Sequence, residues 1–540
     1  MVVARASIGR RIFDELQRRW RLWHVDVRTR RFIKHNQRIW RRQQQGIGAP
    51  QVLINVDALG VNHIRISYVA NTLAREHDAV IKSYSAAPLS RQRRLKKVYE
   101  SFGVTGHILT QLNAGQRQQV RAEFRKTRSR LKTRQNVLDV AVKGVPLGDD
   151  IYDTYLREAR RGTVHLADPL FDQVLERSIG LVIFWHDYFA RYDVTAVAVS
   201  FDAYIDIMAL VKVAHAYGVP VTNVDLVAPA RRGTSTTANA HFAHLHEWFL
   251  RLSSSEQRIG LAKGREHLQR RLNGEIGVGI SHYMQRSAFH AGRSASVLWP
   301  SDRPKILVCT HEFSDAPHCY GEMLFLDFYD WVDWLGRLSR DVDYDWYVKL
   351  HPGHWDVSEK IVAGLLIKYP AFTLLPADTS HHQLVEEGIS CVLTCMGSVG
   401  HEYPALGVPV INAAYNPHVA YSFSHTPKTI DEFRRLILTV PREKQNISLA
   451  EIHEFFYMFN YDLLSDSVGL TWWRELMESL AQGESQRPAV YAQFLARYTP
   501  AQHEATLRHL AWALAQDVTH PAELTLRRQG VDKSIQECVR

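Results

Sequence analysis

The same local pattern occurs in both halves of this chain: a helical stretch, then Gly-Val-Pro-Val, then an apolar run typical of a strand. The two copies are Gly218–Val221 and Gly407–Val410. Short apolar runs alternate with helical stretches around both copies, and strands that alternate with helices form parallel sheets. At 540 residues the chain has room for two such domains. The pattern predicts two similar doubly wound domains without a strict sequence repeat.

The apolar runs also predict where strands and domains begin. In the first half we expect a charged helical stretch over 86–135, a loop at 231–235, and strands at 51–59, 79–83, 137–142, 195–200 and after Gly218. In the second half we expect strands at 304–310, 344–349, 372–375, 390–394 and 408–412. The predicted regions are a basic helical segment (1–48), a first Rossmann-like domain (49–230), a helical crossover (231–300), a second Rossmann-like domain (301–435) and a helical region (436–540).

The composition is that of an ordinary globular protein. Hydrophobic residues make up 46% of the chain and charged residues 23%, so a sizeable core is expected. No apolar run approaches the roughly 20 residues that span a bilayer, and the N-terminus lacks the apolar stretch of a signal peptide. The five cysteines are too irregular for a disulfide framework, and Cys391 and Cys395 have no second pair to complete a zinc site. These features predict a cytosolic protein.

The positive charge is concentrated at the N-terminus. Residues 1–45 contain 13 lysine and arginine residues and 3 acidic ones, which accounts for the net charge of +10. Within 8–28, apolar residues recur at helical spacing and arginines flank them: Ile8, Ile12, Leu16, Trp20, Trp23 and Val27. Such a helix suits an anionic membrane surface. The alternatives are a helix packed on the body and a nucleic-acid contact. A second basic run, 117–134, is expected to be a solvated helix face.

Two segments of the second half carry the candidate site. Lys349 and His351 follow an apolar run, so they are expected at the end of a strand, where α/β folds bind ligands. Further along, the turn Gly397–Gly400 opens a helix that carries Glu402. Backbone N–H groups left free at such a turn can hold phosphate, and the glutamate is placed to accept hydrogen bonds from a sugar diol. Together the segments indicate a site for a nucleotide-activated sugar.

These segments resemble those of GT-B glycosyltransferases that build bacterial capsules and surface polysaccharides. The group includes the KpsC-type Kdo transferases and the CDP-glycerol glycerophosphotransferase-like proteins, and the resemblance covers residues 300–435. The stretches Thr310–His318 and Asp327–Trp331 also look like those of capsule-biosynthesis proteins. The resemblance implies an α/β, GT-B-like fold: two Rossmann-like, doubly wound domains facing across a cleft. The residue pattern adds a basic amphipathic helix before them and a helical tail after them.

The resemblance also implies roles for single residues. His351 would contact the donor phosphate and so assist catalysis, Ser398 and the backbone of Gly397 and Gly400 would cradle the same phosphate, and Glu402 would bind the ribose. This chain has Cys-Met-Gly-Ser at 395–398 where many relatives have a Ser-Ser pair, which leaves open which hydroxyl meets the phosphate. Lys349 is expected among the donor-binding residues. Structural alternatives are a strand-end contact for His351 or Lys349, a helix cap for Ser398 and a helix-dipole partner for Glu402.

A second polar set follows the first strand of the second domain: His311, Asp315 and His318. We expect these side chains to line the cleft and to take part in donor binding. These residue types can also bind metal or act in proton transfer, and a structural role is a further alternative. A metal site would need another ligand, and none is evident, so no metal is expected.

An inverting transferase needs a base that deprotonates the acceptor hydroxyl. We expect this base in the first domain, facing the donor. The candidates are Asp57 and His63 in the first strand–helix loop and Asp202 after the 195–200 strand. Asp57 and Asp202 could instead cap helices. The three aspartates within 149–153 belong to a stretch that resembles the family, and a surface turn is the alternative.

The sequence therefore predicts a cytoplasmic transferase, peripheral on the inner face of the plasma membrane. It would move a sugar or polyol phosphate from a nucleotide-activated donor to a glycan or lipid-linked acceptor. A CMP- or CDP-linked donor is favoured over a UDP-linked one, and no separate cofactor or nucleic-acid partner is expected. The alternatives are a nucleotide-sugar epimerase of the same fold and a non-enzymatic scaffold that binds membranes or nucleic acid. The concentration of charge on one terminal segment argues against both.

Overall fold

The structure is a computed structural model. It describes residues 25–40, 48–224, 230–232, 240–276, 287–465 and 489–528, apart from residues 87, 90, 91, 290, 291, 293, 294, 352, 354, 355 and 517. Two mostly parallel sheets organise these residues, and helices cover both. The predicted α/β class with two doubly wound domains is confirmed.

The strands fall into two sheets and one short hairpin. In chain order they are β1 (Gln51–Asn55), β2 (Val80–Ser85), β3 (Val104–Leu109), β4 (Ala141–Val142), β5 (Val145–Pro146), β6 (Val194–Val199), β7 (Val221–Asn223), β8 (Ala230–Arg232), β9 (Lys305–Cys309), β10 (Asp345–Lys349), β11 (Phe372–Leu375), β12 (Cys391–Thr394) and β13 (Val410–Asn412). The first sheet has the order β3-β2-β1-β6-β7-β8, with only β8 antiparallel. The second has the order β11-β10-β9-β12-β13, and its strands are all parallel.

The helices connect these strands and continue beyond them. They are α1 (Val27–Ile39), α2 (Gly60–Glu76), α3 (Arg93–Ser101), α4 (Ala114–Arg130), α5 (Gln135–Leu138), α6 (Gly148–Ala159), α7 (Pro169–Arg191), α8 (Ile205–Ala216), α9 (Leu245–Arg251), α10 (Ser254–Leu272), α11 (Phe328–Leu338), α12 (Asp356–Lys368), α13 (His381–Glu386), α14 (Val399–Glu402), α15 (Ile430–Thr439), α16 (Leu449–Phe459), α17 (Tyr461–Leu464), α18 (Ala489–Arg497) and α19 (Pro500–Ala515). Every residue of β1 and of β10 is buried, as expected for central strands that helices cover on both faces.

The last helices return to the first domain. Val490, Tyr491 and Phe494 of α18 are buried in one cluster with residues of β1, α1 and α2. A Cβ atom on Gly60 would lie 2.5 Å from Cγ1 of Val490, so the start of α2 can approach α18 only because residue 60 is glycine. The ring of Tyr491 stacks on Phe32 of α1 with centroids 4.3 Å apart. One face of the first sheet is therefore covered by helices from distant parts of the chain.

Most predicted strands are present, and three local predictions need correction. All five strands predicted in the second domain are found, as are those at 51–59, 79–83, 195–200 and after Gly218. The pattern misses β3, because Gly106 and His107 interrupt its apolar run. The strand predicted at 137–142 is wrong, since α5 and one strand of the β4–β5 hairpin occupy this stretch. The loop predicted from 231 is wrong at its start, because β8 pairs with β7 there.

The predicted basic helix lies almost wholly outside the described residues. The structure describes only the last four residues of 8–28, and α1 begins at Val27 with the side chain of Asp26 as its cap. The membrane contact of this segment therefore stays a prediction. In the second basic run, Arg117, Arg121 and Arg125 of α4 are exposed, as predicted for a solvated face. None of the described helices has the length and apolar character that a membrane crossing requires.

Candidate functional site

Each main sheet has a crevice at the carboxyl ends of two neighbouring strands. In the second sheet, β10 and β11 lie on one side of β9 while β12 and β13 lie on the other. The connections leaving β9 and β12 therefore diverge, and the crevice lies between them. In the first sheet the corresponding crevice lies between β1 and β6. Open α/β sheets bind ligands at such switch points, so these crevices are the expected ligand positions.

His311 lies two residues beyond β9, at the crevice of the second sheet. Its Nε2 atom lies 3.2 Å from the backbone nitrogen of Met396 and 3.4 Å from Oγ1 of Thr394, and its ring stacks on Phe328. Since a backbone N–H can only donate, Nε2 accepts and the ring proton is assigned to Nδ1. Burial, and then nearby His351, lower the pKa of His311 to about 3. His311 is therefore a neutral ring that holds the turn after β12.

His351 and Gly397 lie beside His311. His351 is half-buried two residues beyond β10, and its Nδ1 accepts a hydrogen bond from the backbone N–H of Gly353 at 3.1 Å. A Cβ atom on Gly397 would lie 2.8 Å from Oγ1 of Thr394 and 3.6 Å from Cε1 of His311. Glycine at 397 is thus what lets the turn pack against the Thr394 hydroxyl, while the contact with His311 would tolerate a Cβ atom. The structure brings these three predicted donor-binding residues together at one switch point.

The turn is followed by a very short helix, α14, which continues as a 3₁₀ turn at Pro404–Leu406. The backbone N–H of Gly400 already donates to the carbonyl of Gly397 at 2.9 Å. The backbone N–H of Gly397 likewise donates to Oγ1 of Thr394 at 3.3 Å. In this conformation neither N–H group is available for the predicted phosphate contact. Of the backbone N–H groups in this turn, within the described part of the chain, those of Ser398 and Val399 remain for a ligand.

Gly400 has a packing role instead. A Cβ atom there would lie 2.5 Å from Cε1 of His418 and 2.9 Å from Oδ1 of Asn412. His418 is fully buried, its Nε2 lies 3.3 Å from the same amide oxygen, and burial lowers its pKa to about 3. A side chain at position 400 would push the turn away from the end of β13.

Glu402 and Ser398 share a partner that the sequence did not indicate. Arg271, at the end of α10, places Nε 2.6 Å and Nη2 2.5 Å from Oε1 of Glu402, and Nη2 also donates to Oγ of Ser398 at 3.2 Å. The Glu402 side chain is only 1% exposed. Glu402 therefore serves here as the counter-ion of Arg271, and its contact with a ribose stays a prediction. Arg271 lies 131 residues from Glu402, so no local pattern could have found it.

Lys349 is buried and does not reach the crevice. It ends β10, and its ammonium group donates to the backbone carbonyl of Ala377 at 2.7 Å. Burial lowers the pKa of Lys349. The structure contradicts its predicted donor contact, because the side chain points into the domain and satisfies a carbonyl there.

Asp315 and His318 contact the first domain rather than His311. Both lie in the segment 310–327, here called the bridging loop, which follows β9. Asp315 accepts hydrogen bonds from Tyr204 at 2.6 Å and Arg157 at 3.3 Å, and His318 pairs with Asp153. The predicted His-Asp-His set is thus divided between two environments. The described residues include no group of three or more His, Cys, Asp or Glu side chains able to hold a metal.

In the first domain, Asp57 joins the ends of β1 and β6. One carboxylate oxygen accepts from the backbone N–H of Leu59 at 2.6 Å. The other accepts from Asn62 at 3.0 Å and from the hydroxyl of Ser200. With both oxygens bonded, Asp57 closes the crevice of the first sheet. These hydrogen bonds argue against its predicted role as base. The capping alternative is not found either, because Leu59 is the N-cap residue of α2 and no side chain caps this helix.

His63 is also unsuited to act as a base. Its ring is fully buried, Nε2 donates to the carbonyl of Asp57 at 2.9 Å, and Nδ1 accepts from the hydroxyl of Tyr491 at 2.6 Å. Burial lowers the pKa of His63 to about 4. Both nitrogens are occupied away from the cleft, so the predicted role is wrong for this structure. Asp202 remains half-buried in the loop after β6, and its role stays a prediction.

The aspartates of the 149–153 stretch form the first turns of α6, and two of them are buried. Asp149 and Asp150 both pair with Lys212 of α8, at 2.7 and 2.6 Å. Burial, and then the neighbouring Asp149, raise the pKa of Asp150 to about 7. Asp153 is 4% exposed and faces the bridging loop. The surface-turn alternative is therefore wrong.

No family model and no curated protein sequence matches this chain. Among solved structures it is similar to a Thermosulfurimonas dismutans KpsC, a beta-Kdo 2,4 transferase, with 12% identity and a TM-score of 0.30, over 49% of this chain and 80% of that one. It is also similar to a Neisseria meningitidis UDP-GlcNAc 2-epimerase bound to UDP-GlcNAc (12%, TM-score 0.23, 77% and 99% covered). A third is the HepE protein of Anabaena in complex with UDP and glucose (11%, TM-score 0.25, 80% and 100% covered). At such scores the likeness carries no functional inference for this chain.

Proposed function

We propose that this chain is a GT-B-type glycosyltransferase that uses a nucleotide-activated donor in surface-polysaccharide assembly. The observation that carries the proposal is the convergence of His311, His351 and the turn at Gly397 on the switch point of the second sheet. Parallel α/β sheets bind nucleotides at this position. Three segments that follow three different strands supply the groups, so the site is a product of the fold rather than of one loop.

The chemistry of these groups suits a phosphate leaving group. When the glycosidic bond of a sugar nucleotide breaks, negative charge develops on the phosphate oxygens. The half-buried ring of His351 and the backbone N–H groups of Ser398 and Val399 can donate to those oxygens. Donors that are fixed before the reaction stabilise such charge most effectively, and His311 and Arg271 fix the turn on two sides.

The finer parts of the proposal come from the sequence. A CMP- or CDP-linked donor is favoured by the resemblance to capsule transferases, and the transferred group would be a sugar or a polyol phosphate. The acceptor would be a glycan or a lipid-linked glycan. Attachment to the inner face of the membrane would come from residues 8–28, which carry the flanking arginines and tryptophans.

Nucleotide binding tests the proposal. Thermal stabilisation of the full chain is measured against CMP, CDP, UMP, UDP, GDP and ADP, with and without magnesium. We expect a selective shift with one base. His351→Gln should weaken that nucleotide about 10- to 100-fold, as expected when a hydrogen bond to a charged group is lost. The matched control is His186→Gln, which changes a half-buried histidine of α7 that bonds Tyr217.

Two results would refute this function. If no nucleotide stabilises the folded wild-type chain, the donor site does not exist. If a nucleotide binds equally well to wild type and to His351→Gln, it binds elsewhere. Incubation of the wild type with sugar nucleotides then separates the reactions: released nucleotide indicates transfer, whereas an altered sugar still attached to its nucleotide indicates epimerisation.

A further inference from the structure

A carboxylate–histidine pair crosses from one domain to the other. Oδ1 of Asp153, on α6, lies 2.5 Å from Nδ1 of His318 in the bridging loop, and Oδ2 accepts from the backbone N–H of His318 at 3.2 Å. The aspartate thus holds both the ring and the backbone of the histidine. The side chains are 6% and 10% exposed. Such a contact fixes the orientation of the imidazole ring.

Among the described residues, the second ring nitrogen of His318 has no hydrogen-bond partner. Nε2 is buried, and no described residue lies within hydrogen-bonding distance of it. Because Asp153 occupies Nδ1, the proton between them belongs to Nδ1 when the ring is neutral, and Nε2 then presents a lone pair. Other buried ring nitrogens of the described residues also lack a partner, among them Nε2 of His35 and Nδ1 of His401 and His418, so what distinguishes His318 is the carboxylate that holds its other nitrogen. An aspartate that orients a histidine while its other nitrogen stays unoccupied is the arrangement of a general base.

The pair also lies where the carboxyl ends of the two sheets meet. The bridging loop is tied to the donor turn through His311 and to the end of β13 through the backbone N–H of Leu324, which donates to the carbonyl of Ala413. Between these anchors, Asp315 accepts from Tyr204, which follows β6. Tyr204 has φ of +66°, a strained value for a bulky residue that persists where surroundings enforce it. His318 is therefore held between the donor crevice and the loop after β6.

We propose that the Asp153–His318 pair is the base that activates the acceptor hydroxyl. This inference rests on the proposed glycosyltransferase function and names the residue that the candidates Asp57 and His63 do not supply. The acceptor hydroxyl gives its proton to Nε2 of His318, and its oxygen forms a bond to the anomeric carbon of the donor. The bond from that carbon to the phosphate oxygen breaks, and the nucleotide leaves with the electron pair. Asp153 stabilises the imidazolium that results. Because Nε2 is buried, this step requires the seam between the two domains to open and admit the acceptor.

The surrounding charges support the assignment. Burial alone would lower the pKa of His318, but Asp153 outweighs it, with smaller contributions from Asp149 and Asp327, and the pKa is raised. A base with a pKa close to the working pH is the most effective proton acceptor.

The test follows nucleotide release by the full chain from CMP-Kdo, UDP-GlcNAc, UDP-glucose and GDP-mannose, with water as the default acceptor. Turnover of the wild type should rise with pH through a midpoint above 6.5. His318→Gln should lower turnover about 10²–10⁴-fold, the usual contribution of a general base, without changing nucleotide affinity. In Asp153→Asn the midpoint should move to lower pH. Arg157→Gln, which breaks an exposed contact across the same seam, serves as the matched control and should keep wild-type turnover.

The outcomes separate this inference from the function on which it rests. A wild-type chain that neither binds nor releases any nucleotide refutes the proposed function and the base together. An active wild type with equally active His318→Gln overturns the base alone. Loss of turnover with an unchanged pH midpoint in Asp153→Asn also overturns it, because a structural contact does not set that midpoint. If His318→Gln does not fold, the pH midpoint of turnover in Asp153→Asn tests the assignment of the base instead.

Discussion

Replacement of Arg271 by methionine should destabilise the second domain by about 4 kcal/mol at pH 7. The change removes the counter-ion of Glu402, whose side chain is 1% exposed, and leaves a buried negative charge. Breaking a buried ion pair in this way typically costs about 3–5 kcal/mol. The loss has a ceiling, because a stranded carboxylate can take up a proton instead. Protonating a free glutamate costs about 3.7 kcal/mol at pH 7 and about 1 kcal/mol at pH 5.

The assay is urea denaturation of the wild type, Arg271→Met, Glu402→Leu and the double variant at pH 7 and pH 5. The two single variants should each lose stability, whereas the double variant should lie within about 1 kcal/mol of the wild type, because apolar replacements of a buried pair are often neutral. The penalty of Arg271→Met should shrink by about 2–3 kcal/mol at pH 5. Additive losses in the double variant, or a penalty that does not depend on pH, would refute this account of the pair.

Three further predictions concern the same domain. Gly400→Ala should lower the free energy of unfolding by about 1–3 kcal/mol, because its Cβ atom would overlap His418. The control Gly364→Ala, in open space on α12, should raise the free energy of unfolding by up to about 1 kcal/mol. Urea denaturation midpoints of the two variants measure both effects. His311 and His418 have pKa values of about 3, while an unfolded histidine titrates near 6.5. Unfolding therefore takes up protons, so the free energy of unfolding should fall as pH drops below 6.5, by about 2.7 kcal/mol per histidine at pH 4.5. The check is to measure the free energy of unfolding against pH for the wild type and His418→Leu. Equal slopes of the two curves below pH 6.5 would contradict the prediction. Lys349→Met should leave nucleotide affinity unchanged in the thermal-shift assay, since the ammonium group lies outside the crevice, and a tenfold loss would restore its predicted donor role.

The sequence predicts the second domain well because its strands are short apolar runs bounded by clear breaks. The switch-point groups were also predictable, since His351 and Gly397 each belong to a local motif. Two local features could not be predicted from the sequence. Strand β3 carries Gly106 and His107 within a charged region, so its apolar pattern is too weak, although pairing with β2 stabilises it. In the run 137–142 the buried valines belong partly to helix α5 and partly to the short β4–β5 hairpin, so its apolar pattern does not mark a strand of the main sheet.

The missed site contacts share one physical cause. The Arg271–Glu402 pair spans 131 residues and the Asp153–His318 pair spans 165. Periodicity and motif spacing report on neighbours within one element, and neither rule relates residues that only the packing of whole domains brings together. Likewise, nothing around His63 indicates that Tyr491 will cover its ring.

The return of α18 and α19 to the first domain has a consequence for how the protein matures on the ribosome. The face of the first sheet that Val490, Tyr491 and Phe494 cover is synthesised early, but these residues follow Gly60 by about 430 positions, or roughly 20–90 s at 5–20 residues per second. The second sheet is continuous in sequence from β9 to β13 and can close as soon as it emerges. Although it is made later, the second domain should therefore reach its native state first, while the nascent first domain keeps an uncovered apolar face until synthesis is nearly complete.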